Sequence, residues 1–317
     1  MAYILLIVGF ILLIKGADLF VDGSSNIARL LRVPSILIGL TIVAFGTSSP
    51  EATVSIIAAL EGSAEVSLGN VVGSNIFNIT LVVGITAFLS PLMVESDTTR
   101  KEIPFILLAS VALLVLMSDV TLQGSGTNSL TRSDGIIFIL FLSIFMYYLI
   151  ELGMKSRKQS SDEAVPEDVK WGKNIALTLA GLIAIIFGGD LVVDNGKEIA
   201  FSLGMSDTLV GLTIIALGTS LPELVTSVSA AMKKESGIAL GNVVGSNILN
   251  ILFVLGASAT ISPLAVNGKI FMDVIIMIAL SLLLFIFSRT DYRVGKVEGL
   301  VLFSTYVVYL VYIILRN

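Results

Sequence analysis

The chain has 317 residues, of which 55% are hydrophobic and 14% are charged, with a net charge of −5 and a mean hydropathy of +0.98. A soluble domain carries about 25% charged residues, so this composition excludes an ordinary water-soluble protein. The absence of Cys and His excludes disulfide frameworks, thiol nucleophiles, zinc or haem sites built on these residues, and histidine proton relays. No basic field suggests nucleic-acid binding.

The apolar segments predict an all-α membrane protein with ten transmembrane helices, because a helix needs about 20 apolar residues to span a bilayer. The first predicted helix is a retained span rather than a cleaved signal peptide, since its first cation, Lys15, follows the apolar run. The ten predicted spans lie at residues 2–24, 34–60, 66–90, 102–118, 134–154, 174–195, 207–232, 238–261, 270–288 and 297–315.

One long polar segment, residues 155–172, divides the chain into a first five-helix repeat at 1–154 and a second at 173–317. Lys and Arg residues concentrate on the cytoplasmic side of membrane proteins. With the N-terminus outside, fourteen of the 19 Lys and Arg residues lie in inner loops, four lie outside and Lys15 lies within the first span. The predicted location is therefore the cell membrane, multi-pass, with both termini outside and a cytoplasmic hinge loop at 155–172.

The two halves are related by an internal repeat. At an offset of 172 residues, positions 15–91 align with 187–263 without a gap, and 38 of 77 positions are identical. Because each copy holds five predicted spans, an odd number, the second copy enters the membrane from the opposite side. The repeat is therefore predicted to be inverted, as in transporters whose sites lie near the membrane midplane.

The first repeated motif is GTSSPE at residues 46–51 and GTSLPE at 218–223. Its Pro cannot donate a hydrogen bond to the carbonyl four residues earlier, which predicts breaks in the second and seventh helices. Irregular backbone at membrane depth is tolerated only against protein or a wet cavity. The Thr, Ser and Glu of each motif are three or four residues apart and can share one helix face.

The second repeated motif is GNVVGSNIFN at residues 69–78 and GNVVGSNILN at 241–250. Its Asn, Ser and Asn recur every four residues and form one polar stripe on the third or eighth helix. Its Gly residues permit close helix packing. We predict that the third and eighth helices are also broken and that the broken helices surround a shared polar centre.

Glu51 and Glu223 are the only Glu residues predicted to lie deep within the spans. A charge at the bilayer centre costs at least ~3 kcal/mol, and two acids brought together repel unless they are protonated or neutralised by cations. Oxygen ligands suit Ca²⁺ and Na⁺, whereas Mg²⁺ dehydrates reluctantly and softer metals prefer other ligands. A lone Ser or Thr in a membrane helix is usually structural, but here hydroxyls, Pro and Glu occur together twice.

Other charged residues within the spans have simpler interpretations. Asp18 and Asp22, like Asp190 and Asp194, lie four residues apart near the end of a span, and we expect them mainly to face water. Lys15 is expected to extend toward the membrane interface or to pair with an acid.

Together, the two motif pairs resemble the alpha repeats of the sodium/calcium exchanger family, and the resemblance covers essentially the whole chain. It implies a secondary active antiporter that exchanges Na⁺ for Ca²⁺ by alternating access, with a further Na⁺ that makes exchange electrogenic. It also implies that the first and sixth helices slide across a rigid remainder. We expect no enzymatic activity, no cofactor apart from the transported ions, and a monomer that functions in the lipid bilayer.

The resemblance also implies the ion ligands, with Glu51 and Glu223 as the central acids. The further ligands implied at matching motif positions are Thr47, Ser48, Thr219, Ser220, Ser74, Ser246, Asn78, Asn250 and the carbonyl donors Ala44 and Ala216. Some branches of the family carry Asp where this chain has Asn250. With Asn at both symmetric positions, two formal negative charges are left at the centre, which argues against potassium co-transport.

Three alternatives are weighed against this function. Proton/calcium exchange would use the two Glu residues as titrating groups, but the GNxxE-type carboxylate of proton/calcium exchangers is replaced by Val72 and Gly73. A cation channel would also need oxygen ligands, although channels usually assemble identical subunits around a pore. An intramembrane enzyme has little support, although a hydrolytic pair of acids is formally compatible with the sequence.

Overall fold

The computed structural model describes residues 1–159, 170–205 and 216–316, and these residues are almost entirely helical. The elements of the first half are α1 (Ala2–Leu31), α2 (Ser35–Thr47), α3 (Ser49–Leu60), α4 (Ala64–Leu89), β1 (Leu92–Met93), α5 (Ile103–Leu116), α6 (Asp119–Gln123), β2 (Ser129–Leu130) and α7 (Arg132–Gln159). A π-helical turn, Thr98–Glu102, leads directly into α5.

The second half repeats much of this order. Its elements are α8 (Trp171–Ser202), α9 (Ala216–Gly218), α10 (Leu221–Met232), α11 (Ser236–Ile261), β3 (Leu264–Ala265), α12 (Gly268–Arg289), β4 (Arg293–Val294) and α13 (Lys296–Arg316). The short strands form two antiparallel pairs, β1 with β4 and β2 with β3. Each pair joins a loop of the first half to a loop of the second.

Within the described residues, seven helices are long and apolar enough to cross a membrane, and α2 and α3 together make an eighth candidate. The seven are α1, α4, α7, α8, α11, α12 and α13. This result confirms the prediction of an all-helical chain with many membrane-spanning helices. Most of the predicted hinge loop and the first part of the predicted seventh span lie outside the described residues. The exact set of ten spans therefore stays a prediction.

The second helix breaks at Ser48, where α2 and α3 meet at an angle of 50°. Pro50 lies in the first turn of α3, a position where its missing amide proton removes no helical hydrogen bond. In the second copy, Thr219 and Ser220 separate α9 from α10, and Pro222 again lies in the first turn. The Pro residue of each motif thus begins a new helix just after the interruption.

The predicted breaks in the third and eighth helices are wrong. Both α4 and α11 run continuously, each through a π-helical segment that begins at the last Asn of the motif, Asn78–Val82 in α4 and Asn250–Leu255 in α11. Neither segment contains Pro, so no amide donor is missing. The hydrogen bonds change locally to the π-helical pattern, and the helix continues. Such π-helical segments frequently occur at functional sites.

The helices α1 and α8 occupy corresponding positions in the two copies and pack antiparallel against each other. A Cβ atom built on Gly16 would lie 2.9 Å from the carbonyl O of Gly181. One built on Gly188 would lie 2.8 Å from the carbonyl O of Gly9. A third contact of this kind joins Gly23 to the Asn174 region of α8. These glycines therefore let the two backbones touch directly over several turns.

The two helices that carry the second motif form the centre of the molecule. In the most apolar stretch of α11, 94% of the residues are buried, and the value is 78% in α4 but only 22% in α7. A Cβ atom on Gly241 of α11 would lie 2.9 Å from the Cα of Gly39 in α2. The close packing predicted for the motif glycines is therefore present at Gly241 and Gly245 but not at Gly69 and Gly73, where a Cβ atom would meet no described atom closer than 3.8 Å. The peripheral helices expose apolar side chains on the outside of the molecule.

Candidate ion-binding site

The two motif Glu residues each lie in the first turn of a helix that follows an interruption. Glu51 is in the first turn of α3 and Glu223 is in the first turn of α10. Both side chains are fully buried. The first turn of a helix leaves N–H groups unpaired and carries the positive end of the helix dipole, which stabilises a nearby negative charge.

The two copies of the first motif bond to each other's carboxylates. Ser48 Oγ donates a hydrogen bond of 3.0 Å to Glu223 Oε1. In the matching bond, Ser220 Oγ donates to Glu51 Oε1 at 2.9 Å. Each Ser is three residues before the Glu of its own copy, yet it bonds to the Glu of the other copy. These reciprocal bonds bring the two acids to one buried centre.

The Ser residues of the second motif lie at the same centre. Ser220 Oγ contacts Ser74 Oγ at 2.9 Å, and Ser246 Oγ donates to Glu223 Oε1 at 3.4 Å. Both Ser74 and Ser246 are buried. The two acids and the four Ser residues implied by the family resemblance therefore form two hydrogen-bonded groups, one of Glu51, Ser220 and Ser74 and one of Glu223, Ser48 and Ser246.

The motif Thr hydroxyls bond to the first Asn of the second motif in the other copy. Thr47 Oγ1 donates to Asn242 Oδ1 at 2.9 Å, and Thr219 Oγ1 donates to Asn70 Oδ1 at 3.3 Å. The amide of Asn70 in turn donates to the backbone O of Glu51 at 3.2 Å. These bonds tie the interruption in each copy to the central helix of the other copy.

The two alanines implied as carbonyl donors lie just before the interruptions. Ala44 is buried in α2, and its carbonyl O accepts the backbone N–H of Ser48 at 3.0 Å. The hydroxyl of Thr47 also lies 3.5 Å from this carbonyl oxygen. Ala216 is the first residue of α9.

Asn78 and Asn250 lie in the centre at the start of the two π-helical segments. Asn78 Nδ2 donates to Asn247 Oδ1 at 3.2 Å, and Asn250 Nδ2 donates to Asn75 Oδ1 at 3.1 Å. Sequence reasoning missed the roles of Asn75 and Asn247. The available signal was that both occur in a GSN segment that is identical in the two copies.

Four buried oxygen atoms of the expected ligand side chains have no hydrogen-bond donor among the described residues. They are Glu51 Oε2, Glu223 Oε2, Asn78 Oδ1 and Asn250 Oδ1. Buried polar atoms without partners are rare in folded proteins and call for an explanation such as a bound ion. Across the described parts of the chain, no group of three or more acidic side chains could hold a metal ion. Any ion at this centre would therefore meet two carboxylates and otherwise neutral oxygens.

The predicted Asp pairs differ in their surroundings. Asp22 Oδ1 lies 2.7 Å from Lys233 Nζ, and Asp18 Oδ1 accepts a bond of 2.8 Å from Ser229 Oγ. These contacts join α1 to the end of α10. On the other long helix, Asp190 and Asp194 line a cavity of about 400 Å³ between α8, α3 and α10.

The cavity reaches the first motif of both copies. Its lining includes Ser49 and Pro50 from the first copy and Thr219 and Pro222 from the second. The equivalent face of α1 lines a second cavity of about 410 Å³ with α10, and Asp18 and Lys233 form part of its wall. The two cavities therefore have similar volumes, but the one beside Asp190 is lined by the first motif of both copies.

A sequence profile described as "Sodium/calcium exchanger protein" matches residues 1–151 and 173–315. The chain belongs to the sodium/calcium exchanger family. This assignment covers both copies of the repeat and leaves out little beyond the predicted hinge loop. The members of this family are transporters. Membership therefore favours antiport of Ca²⁺ against another cation over a channel or an enzyme.

Similar exchangers and related membrane proteins match nearly the full length. The sodium/calcium exchanger MaX1 of Methanosarcina acetivorans is 35% identical over 342 residues, which is 98% of this chain and 97% of MaX1. Inner membrane protein YrbG of Escherichia coli (strain K12) is 35% identical over 320 residues, 98% of this chain and 96% of YrbG. A structure of the sodium-calcium exchanger NCX_Mj, soaked with 10 mM Na⁺ and zero Ca²⁺, has a TM-score of 0.83 at 32% identity and covers 98% of both chains. The chain described here is accordingly a multi-pass membrane protein.

Proposed function

We propose that this exchanger moves Ca²⁺ against Na⁺ through one central site that the two ions occupy in turn. The observation that carries the proposal is the reciprocal bonding of Ser48 to Glu223 and of Ser220 to Glu51. Beside these bonds, each carboxylate keeps an oxygen with no donor among the described residues. Two carboxylates surrounded by hydroxyl and amide oxygens form the ligand set that hard cations prefer.

The charge of this site explains why the ions compete. One Ca²⁺ neutralises Glu51 and Glu223 together, and two Na⁺ do so equally well. Moving an empty, doubly negative site through a desolvated state is costly, so only the loaded protein changes its accessible side readily. A further Na⁺, as the family resemblance implies, would carry net charge and make the exchange electrogenic.

The proposed ligands are the residues at the family's motif positions. They are Glu51, Glu223, Thr47, Thr219, Ser48, Ser220, Ser74, Ser246, Asn78, Asn250, Ala44 and Ala216. A hydroxyl that donates one hydrogen bond still has two acceptor lone pairs, so the bonds that Thr47 and Thr219 make to Asn side chains are compatible with ion binding. No cofactor is needed besides the transported ions.

The proposed architecture is two inverted five-helix repeats, residues 1–154 and 173–317, joined by a cytoplasmic loop at 155–172. The antiparallel packing of the corresponding helices α1 and α8 supports this inversion. With both termini outside, the cavity beside Asp190 lies on the outer side and the Lys233 contacts lie on the cytoplasmic side. Because the outer cavity is the one lined by the first motif of both copies, we infer an outward-facing state, from which α1 and α8 would slide to expose the site inward.

Purified protein in liposomes tests the coupling ion. We expect Ca²⁺ uptake when Na⁺ is trapped inside at equal pH, faster uptake at an interior-positive potential, and no uptake driven by a pH gradient alone. One chain per functional unit is expected. Uptake that follows the pH gradient and ignores Na⁺ would contradict the proposal and establish proton/calcium exchange.

A further inference from the structure

Four Asn side chains at the centre form two amide pairs, each of which joins the two copies of the repeat. Asn250 Nδ2 donates to Asn75 Oδ1, and Asn78 Nδ2 donates to Asn247 Oδ1. All four side chains are fully buried. Asn78 and Asn250 are proposed ion ligands, whereas Asn75 and Asn247 have no role in the proposed site.

The orientation of the Asn75 amide is fixed at its donor end. Asn75 Nδ2 donates to the backbone carbonyl O of Asn247 at 3.3 Å, and a backbone carbonyl can only accept. The oxygen end of Asn75 must therefore face Asn250, whose NH₂ group donates a hydrogen bond to it. Asn250 Oδ1 is consequently turned away from this pair, and it is one of the four oxygens without a donor among the described residues.

The second pair has the same pattern but lacks a bond equivalent to the one between Asn75 and a backbone carbonyl. Asn247 Oδ1 accepts from Asn78 Nδ2 and leaves Asn78 Oδ1 unpartnered. Asn247 Nδ2 itself meets no acceptor in the described part of the chain. The orientation of Asn78 is therefore held by one bond, while that of Asn250 is held by a chain of two.

We propose that Asn75 and Asn247 are positioning residues that fix the amide orientation of the ligand Asn across the repeat interface. An Asn amide turned by half a rotation has nearly the same shape but presents NH₂ instead of oxygen. At an ion site, this turn replaces a ligand with a repulsive donor. The inference rests on the proposed function, because it takes Asn78 and Asn250 as ligands.

The first test is Asn75→Ala, which removes the acceptor that holds Asn250. We expect the KM for Ca²⁺ in liposome uptake to rise about ten-fold, the effect of losing roughly one hydrogen bond, with little change in kcat. Ca²⁺ titration calorimetry in detergent should give a matching loss of affinity. If Asn75→Ala does not fold, Asn75→Leu keeps the volume and removes the same acceptor.

The second test is a double-mutant cycle. In an Asn250→Asp background, the side chain at 250 has oxygen at both ends, so its orientation no longer matters. There, Asn75→Ala should no longer raise the KM, because the Asn75 oxygen would face a carboxylate oxygen instead of an NH₂ group. In an Asn78→Asp background, which leaves the Asn75 partner intact, Asn75→Ala should keep its full effect. Asn247→Ala should show the reverse, raising the KM in the Asn250→Asp background but not in the Asn78→Asp background.

A structural role for Asn75 would raise the KM or lower stability to the same extent in both backgrounds. Equal effects in the two backgrounds, or an unchanged KM in a folded Asn75 variant, would overturn the positioning role. If the wild-type protein neither binds nor transports Ca²⁺, the proposed function fails and the inference fails with it. Wild-type Ca²⁺ exchange combined with equal effects contradicts the positioning role alone.

Discussion

Ser220 Oγ lies 2.9 Å from Glu51 Oε1, although the two residues are 169 positions apart in the chain. The bond holds one carboxylate oxygen and leaves Glu51 Oε2 without a donor among the described residues. One oxygen of Glu51 is thus fixed by the protein, while the other is available to the ion that we propose binds here. The same division applies to Glu223, which Ser48 and Ser246 contact through Oε1.

Replacing Glu51 or Glu223 by Gln should abolish Ca²⁺ exchange, because an amide cannot balance the charge of the ion. Loss of one buried charge partner should weaken Ca²⁺ binding by at least ~3 kcal/mol, about 100-fold. Titration calorimetry and liposome uptake measure both effects. Glu61→Gln is the matched control, since Glu61 is exposed at the end of α3. Folded Gln variants with wild-type Ca²⁺ affinity would contradict the proposed site.

Ser48→Ala and Ser220→Ala should each lower Ca²⁺ affinity by about ten-fold, because a hydrogen bond to a charged group contributes roughly 1.5 kcal/mol. The Ser220 variant should lose more, since Ser220 Oγ also contacts Ser74. Ser49→Ala is the control within the same motif. Its hydroxyl is exposed and donates only to the backbone O of Phe45. Similar affinities for the Ser48 and Ser49 variants would show that the cross-repeat bond is unimportant.

Lys233→Gln should ease the opening of the end of the molecule where α1 meets α10. The Lys233 side chain is partly exposed, so we expect at most ~1 kcal/mol of lost stability, equivalent to about a five-fold shift between the two accessible states. Because the chain has no Cys, a single Cys at Val225, which lines the groove between these helices, can report opening through its rate of thiol modification.

Lys234→Gln, one residue along the chain, is the control for the Lys233 prediction. The ion pairs with Asp22 and Asp18 belong to Lys233, so only the Lys233 variant should speed the labelling of Cys at Val225. Equal labelling rates in the two variants would rule out a role of these contacts in closing the groove.

Gly188→Ala and Gly189→Ala should change stability in opposite directions. A Cβ atom at Gly188 would lie 2.8 Å from two backbone atoms of α1, whereas one at Gly189 meets no described atom within 4 Å. We expect a loss of about 1–3 kcal/mol for the first and a gain of up to about 1 kcal/mol for the second, from helix propensity. Thermal unfolding in detergent compares them. A loss of stability in both would indicate that the α1–α8 contact is not specific to Gly188.

The interruptions in the second and seventh helices could be predicted because their cause is local. Pro50 and Pro222 lack an amide proton wherever they occur, and the structure interrupts the helix just before each. The continuity of α4 and α11 could not be predicted in this way. The π-helical segments begin at Asn78 and Asn250, whose side chains bond to the other central helix, and neither segment contains a Pro or Gly that would signal a change of backbone.

Contacts between distant parts of the chain were the main gap in the sequence-based expectations. Asp22 was expected to face water, and it is partly exposed but paired with Lys233, 211 residues away. Asn75 is the same residue type as the expected ligand Asn78, so composition alone cannot separate a ligand from its support. The regular spacing of Gly9, Gly16 and Gly23 was a readable signal for the α1–α8 contact that the motif analysis did not use.

The reciprocal Ser and Glu bonds have a consequence for how such a protein could arise. In the proposed inverted arrangement, a gene product of half this length would supply the Ser for one carboxylate and the Glu for another, so it could complete the proposed site only by pairing with a second molecule inserted in the opposite orientation. Fusing two such units into one polypeptide fixes their ratio and orientation. It also frees the loops on the two membrane faces to diverge, as they have at Glu61 and its counterpart Lys233.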